Sequence, residues 1–312
     1  MSFVCVCGHN NFPDKKWTPE QIDPHQHYHC VHEFFFFPWN RKARDNNNVT
    51  DWAQWGWSYG MWAHHYRFVN ALREKRGLDW WFNATTVPDS HGFFNMSYGT
   101  NNCNIFRQTA KRIVFEVRSD YPWAEGGRFN TIHIDEIDYW VEVDCEKYRW
   151  PQINEKALKP RPEEEAIANH IMGIMRDRDV IQLGIGSLPS ACVGAMADAG
   201  FRDLGVHTEM LNYGLIRLIE SGQVTNAYKN IDRGKSVWTF AFPVDVQWYY
   251  DTIHRNQNMA VYDIEYTKFP VSMLPKEGAA RRYPSYDERR SYKIPMGGDL
   301  WGYDWDPYQS GR

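Results

Sequence analysis

Apolar residues recur at helical spacing at Ile167, Ile171, Ile174 and Met175, which predicts an amphipathic helix from Pro162 to about Arg178. Pro162 suits a first helical turn, and Glu163, Glu164 and Glu165 favour the positive end of its dipole. Val180 to Leu183 is a short apolar run, read as a strand and ended by the turn Gly184-Ile-Gly-Ser-Leu-Pro189. From there the pattern predicts a helix from Ser190 to Ala199 closed by Gly200, a strand at Leu204–His207 and a helix from Leu211 to Ser221 capped by Gly222. A strand at Ser236–Phe242, a helix at Val246–His254 and a strand at Met259–Ile264 complete the series. Strands alternating with helices at this spacing imply an α/β fold whose parallel sheet is covered on both faces.

The first half repeats the alternation less regularly. Ser2–Val6 and Trp80–Ala84 read as strands, and Asn102–Lys111 as a helix leading into a strand at Arg112–Val117. Eleven of the 15 tryptophans lie at or before Trp150, more indole than packing usually accepts, because a buried N–H needs a partner. Between the halves, Trp150 to Pro162 carries three prolines and few apolar side chains, a linker composition. The expected organisation is an N-terminal domain at residues 1–150, a linker at 151–162 and a C-terminal domain at 163–312.

Composition narrows the function classes. A net charge of −4 over 312 residues gives no support for a general nucleic-acid or anionic-membrane partner. No stretch is long and apolar enough for a membrane-spanning helix, and Met1-Ser-Phe-Val lacks the pattern of a secretory signal, so cytoplasmic residence is the default expectation. Cysteines at 5, 7, 30, 103, 145 and 192 are scattered and read as reduced thiols.

Two places could hold chemistry. Gly184-Ile-Gly-Ser-Leu188 sits between a predicted strand and a helix, where backbone N–H groups and a helix N-terminus suit phosphate or a developing oxyanion. A tight turn between strand and helix accounts for the same glycines without a ligand. The next strand ends in His207-Thr-Glu-Met210, and in an open parallel sheet the carboxyl ends of adjacent strands converge on one crevice. Glu209 would then face the glycine turn and could attack an acyl group. As a plain structural alternative, Glu209 is an acid near a helix N-terminus. The second place is His25-Gln-His-Tyr-His-Cys-Val-His32, where alternating imidazoles suit zinc or copper but a second ligand pair is not evident, so no metal site is assigned. Lys229 and Lys235 read as solvated loop charges, and His91 as part of a turn.

Four segments in order resemble the acetyl-CoA hydrolase/transferase family (family I coenzyme A transferases). They are Val180–Pro189, Leu204–Met210, Gly214–Gly222 and Asn226–Lys235, most similar in wording to the 4-hydroxybutyrate and butyryl-CoA:acetate branch. Val87–Phe94, Ala110–Val117 with Pro122, Ile132–Asp138 and Asn40–Arg44 extend the resemblance over most of residues 34–270. It implies two similar open parallel-sheet domains and CoA transfer between a short-chain acyl-CoA and a carboxylate. Glu209 would be the nucleophile, passing through a glutamyl-CoA thioester. Gly184, Ile185, Gly186, Ser187 and Leu188 would line the thioester end, with Gly297 and Gly298 as further CoA contacts. Coenzyme A is a substrate, no other cofactor is implied, and a homodimer is expected. Hydrolysis of the thioester, or a scaffold without turnover, are the alternatives. The chain departs from the family at Tyr213, which replaces an acid, and is expected to lack the family's first strand–helix units and much of its C-terminal domain.

Overall fold

The computed structural model describes residues 78–267, apart from 101–102, 104–105, 108–109, 128, 149–158, 185 and 242–244, together with 2–5, 30–33 and 50–52. The chain divides into two compact units, Met1–Arg67 and Phe68–Arg312. In the first, β1 (Ser2–Cys5), β2 (Cys30–Glu33) and β3 (Thr50–Trp52) pair in parallel in that order.

Within the second unit, two groups of paired strands follow separate logic. β4 (Leu78–Thr86), β6 (Ala110–Arg118) and β8 (Tyr139–Glu142) form a parallel sheet with β6 in the middle. The period of two sends Trp81, Ile113, Phe115 and Val117 to one face, where they are buried with Phe94, Met96 and Ile132. Phe94 and Ile132 belong to an antiparallel pair, β5 (Phe93–Asn95) with β7 (Thr131–His133), which closes that core. Trp80, Phe82, Tyr139 and Val141 stand exposed at the surface.

The other group follows the predicted alternation. β9 (Val180–Ile181) pairs in parallel with β10 (Gly205–Val206); a bridge from His207 to Val237 joins this to β12 (Ser236–Trp238), which pairs with β14 (Met259–Val261). Beyond Glu209 the same register continues as β11 (Met210–Leu211) beside β13 (Phe240–Ala241). The helices α1 (Pro162–Met172), α2 (Ser187–Ala199), α3 (Tyr213–Glu220) and α4 (Val246–Ile253) lie between or before these strands in sequence. Their termini follow from local chemistry. Asn212 caps α3 by accepting from Leu215 N–H, Asp245 caps α4 by accepting from Trp248 N–H, and α2 ends at Gly200 in the left-handed region. Gly214 has a packing role, since a Cβ there would lie 2.6 Å from a Val193 methyl and force α3 away from α2.

Several predicted boundaries move: Ala110 and Lys111 belong to β6 and not to the helix expected at Asn102–Lys111, Leu211 belongs to β11 and not to α3, and α2 begins at Ser187. α1 stops at Met172 with Gly173 as its C-cap, not at Arg178, and Ile174 is left 77% exposed. The buried face of α1 is set by Glu164 and Ala168, so the isoleucine spacing marked a partly exposed edge. The run Met259–Ile264 is a strand only to Val261. Asp263 then accepts from Tyr266 N–H and starts a short helix, α5 (Ile264–Thr267).

Most of the linker expected at 151–162 lies outside the described residues, and residues from both sides of it share one core. Tyr98, Tyr121 and Ala124 pack with Leu204, Leu215, Trp238 and Tyr249. Bridges from Gly99 to Phe240, Ala124 to His254 and Gly126 to Val261 add backbone pairing to that contact.

Candidate active site

The glycine turn and the strand end bearing Glu209 are fastened together at two points. The Thr208 hydroxyl accepts from Leu183 N–H at 3.3 Å and lies 3.1 Å from both the Leu183 and Met210 carbonyl oxygens, either of which can take its proton. The Asn212 amide donates to the Gly184 carbonyl oxygen at 2.9 Å while its oxygen caps α3. Glu209 lies between these two anchors in sequence. It is half-buried, and its own carbonyl oxygen accepts from Thr239 and Phe240 N–H at 3.0 and 3.1 Å. The convergence expected at the carboxyl ends of adjacent strands is therefore made by side chains, because β9 and β10 pair over only two residues.

Within the turn, Gly184 is exposed with open space where a Cβ would be, and Gly186 has φ of +129°, a conformation that favours glycine. Gly186 is the N-cap of α2 and supplies no side chain, so no side chain caps that helix N-terminus. Ser187 donates its hydroxyl proton to Glu164 of α1 at 2.7 Å, and Leu188 packs partly buried against the main core. Glu164 accepts in addition from the Arg161 N–H and guanidinium. The Arg161 backbone donor, then the Ser187 hydroxyl and the Arg161 side chain, hold its carboxyl down at about 2. Ile185, Gly297 and Gly298 lie outside the described residues.

Below Glu209 the sheet has a gap that two loop side chains fill. Asn226, with φ of +57°, accepts from Val206 N–H at 2.8 Å and donates to the Ser236 hydroxyl at 2.9 Å. Lys229 donates to the Val206 carbonyl oxygen at 2.7 Å and to that of Lys235 at 2.6 Å. The reading of Lys229 as a solvated charge is corrected here: it is 2% exposed, and burial pulls its ammonium down to about 8 against a smaller opposing effect of Asp232. Nothing in the hydrophobic pattern signals this, because a loop lysine and a buried one look alike in sequence. Neighbouring His207 is also buried, its Nε2 3.2 Å from the Thr267 carbonyl oxygen. Burial, then the nearby Lys229 charge, lowers it to about 4, so the ring is neutral at pH 7 and unsuited to act as an acid there.

Other candidates separate from this site. His91 occupies a turn in which its N–H is accepted by Asp89 and its carbonyl oxygen contacts His133 Nε2. His25, His27 and His29 lie outside the described residues, and among the described residues no three His, Cys, Asp or Glu side chains gather as a metal site would require. A groove of about 590 Å³ runs along α3, lined by Tyr213, Arg217, Glu220 and Trp248 among others, but neither Glu209 nor the glycine turn lines it. Two of its polar pairs bond to one another, Trp248 Nε1 to Glu220 and Arg217 to the Tyr213 hydroxyl. No helix among the described residues is long and apolar enough to cross a membrane.

Residues 58–148 match the acetyl-CoA hydrolase/transferase N-terminal domain, a stretch that ends before Glu209. The chain is 36% identical over 185 residues to a probable butyrate:acetyl-CoA coenzyme A-transferase of Syntrophomonas wolfei, covering 59% of this chain and 40% of that relative. It superposes on the crystal structure of RipA from Yersinia pestis with a TM-score of 0.63 at 27% identity, over 77% of this chain and 53% of that one. A 4-hydroxybutyrate CoA-transferase from Porphyromonas gingivalis shares the fold with a TM-score of 0.60 at 23% identity, over 78% and 59% of the two chains. The chain thus spans about half the length of the relatives it matches. Over that span it has the α/β fold of the CoA-transferases, and residues 58–148 are similar to the acetyl-CoA hydrolase/transferase N-terminal domain.

Proposed function

We propose that this chain carries the nucleophile of an acyl-CoA:carboxylate CoA-transferase, with Glu209 as that nucleophile. The single observation that supports this most is the fastening of the Glu209 strand end to the Gly184 turn through Thr208 and Asn212. In this reading the Glu209 carboxylate attacks the thioester carbonyl of a short-chain acyl-CoA, and the carbon–sulfur bond breaks to release CoA thiolate and leave a mixed anhydride. The thiolate attacks the glutamyl carbonyl, giving a glutamyl-CoA thioester and freeing the first carboxylate. An incoming carboxylate reverses the two steps, so that the acyl group leaves as its CoA thioester and Glu209 returns as a carboxylate. Backbone N–H groups at the start of α2 are the donors for the tetrahedral oxyanions, and Gly184 to Leu188 take the thioester end of CoA. Gly297 and Gly298 remain proposed CoA contacts. Coenzyme A is a substrate in this scheme, which needs no metal or further cofactor; a cytoplasmic homodimer of the butyrate or 4-hydroxybutyrate type completes the proposal.

The test is direct. The protein is incubated with butyryl-CoA, trapped with hydroxylamine or borohydride, and mapped by mass spectrometry beside a Glu209→Gln variant. Modification at Glu209 in the parent alone is expected. Failure to modify Glu209 in a folded protein overturns the assignment in favour of a scaffold without turnover. CoA release that needs no carboxylate acceptor would assign hydrolysis instead.

A further inference from the structure

Lys229 is a buried charge that the scheme above leaves without a task and that has no carboxylate bonded to it, unlike Arg118. Its ammonium is almost fully enclosed, and the partners it does have are two backbone carbonyl oxygens, not a carboxylate. A cation enclosed in this way is costly, and the fold makes room for it. Gly205 lies beneath its stem, where a Cβ would come within 2.7 Å of Lys229 Cγ. The two carbonyls it binds belong to Val206, the last residue of β10 and three residues before Glu209, and to Lys235, just before β12. Three residues of chain reach at most about 10 Å, so the Val206 carbonyl that the ammonium binds is within that reach of Glu209.

We propose that Lys229 is a positioning residue for Glu209, holding the strand that presents the carboxylate and supplying a fixed positive charge behind the anions that form there. The inference rests on Glu209 being the nucleophile. The anions concerned are the carboxylate itself, the CoA thiolate and the tetrahedral oxyanions, and a charge in a poorly polarisable interior acts on all of them. It needs no contact with substrate, so it should alter turnover more than substrate binding.

The groups facing Lys229 make this testable by pH. From its own loop comes Asp232 and from just beyond β10 comes His207; Tyr262 and Tyr266, from the segment around α5, lie behind them against Asp232, whose carboxylate accepts from the Tyr266 hydroxyl at 2.6 Å. His207 is neutral above about 4, Tyr262 is pushed up to about 12 by burial and Asp232, and Tyr266 is raised further. Among His207, Lys229, Tyr262 and Tyr266, Lys229 is therefore the group that changes charge near pH 8.

The experiment measures acyl exchange and single-turnover labelling of Glu209 from pH 6 to 9.5 in the parent, Lys229→Met and Asp232→Asn proteins. In the parent we expect kcat to fall as pH rises through about 8, the value to which burial pulls Lys229. Lys229→Met should lower kcat roughly tenfold, leave KM for acyl-CoA within about twofold, and remove the alkaline fall. Asp232→Asn withdraws the anion that favours the ammonium and should shift the alkaline fall to lower pH, a readout that survives if Lys229→Met does not fold. Labelling of Glu209 that is equally fast in parent and Lys229→Met, or an alkaline fall that Asp232→Asn leaves in place, overturns the proposal alone. Absence of a Glu209 label in the parent overturns the nucleophile assignment first, and the role of Lys229 with it.

Discussion

The two groups of paired strands in the larger unit solve the same problem by different means. β4 and β6 keep register from Leu78 opposite Ala110 to Thr86 opposite Arg118, and the apolar ladder of Trp81, Ile113 and Phe115 does the holding. β9, β10, β12 and β14 pair over two or three residues at a time, and polar side chains complete what the ladders leave open. Thr208, Asn212, Asn226 and Lys229 each bond backbone groups on a neighbouring segment. The regular sheet brings together none of the candidate catalytic groups, whereas the patched group carries all of those that the structure describes. Where the ladders are this short, side-chain anchors satisfy the backbone groups that strand pairing leaves open.

If this contrast is right, the largest effect should come from the regular sheet. Phe115→Ala empties a fully buried site and should cost about 3–5 kcal/mol in urea unfolding; a loss below about 1 kcal/mol would mean the apolar ladder is not what holds β6. On the patched side, His207 is lowered to about 4 in the fold against an ordinary value near 6.5. Between those values the unfolded chain binds a proton that the native state refuses, so stability falls as pH drops from 6.5 to 4, by about 3 kcal/mol. His207→Gln should flatten that slope, which denaturant midpoints at pH 7 and pH 4.5 would reveal. Thr208→Val removes the hydroxyl that ties the two strand ends and should cost about 1–2 kcal/mol while slowing Glu209 labelling; normal labelling would separate the anchor from the chemistry. Smallest of all, Phe82→Ser on the exposed face should shift stability by no more than about 0.5 kcal/mol, since Phe82 is 61% exposed. A larger loss would show that something covers this face in solution.

The order of strands and helices from Pro162 to Val261 was legible in sequence because alternation of short apolar runs with glycine-closed helices is a local signal. The positions of Glu209 and the glycine turn at the ends of runs were legible for the same reason, whereas a role for Glu209 came only from the family resemblance. What escaped was polar and non-local. Lys229 sits in a stretch with turn chemistry throughout, and its burial depends on Gly205, 24 positions earlier. Glu164 was read as a helix-dipole acid, and its bond to Ser187 appears only once α1 is packed on α2. Ile174 misled in the opposite direction, being apolar and in phase but placed past Gly173, where the helix has ended.

The contact between Gly205 and the Lys229 stem also limits the order in which this sequence can change. No side chain fits at position 205 while the lysine lies across it. Shortening residue 229 first would leave the Val206 and Lys235 carbonyls without their donor, while enlarging residue 205 first would displace the stem. Neither single step is free, so drift at either position has to pass through a disfavoured intermediate, and the two residues should be exchanged together or not at all.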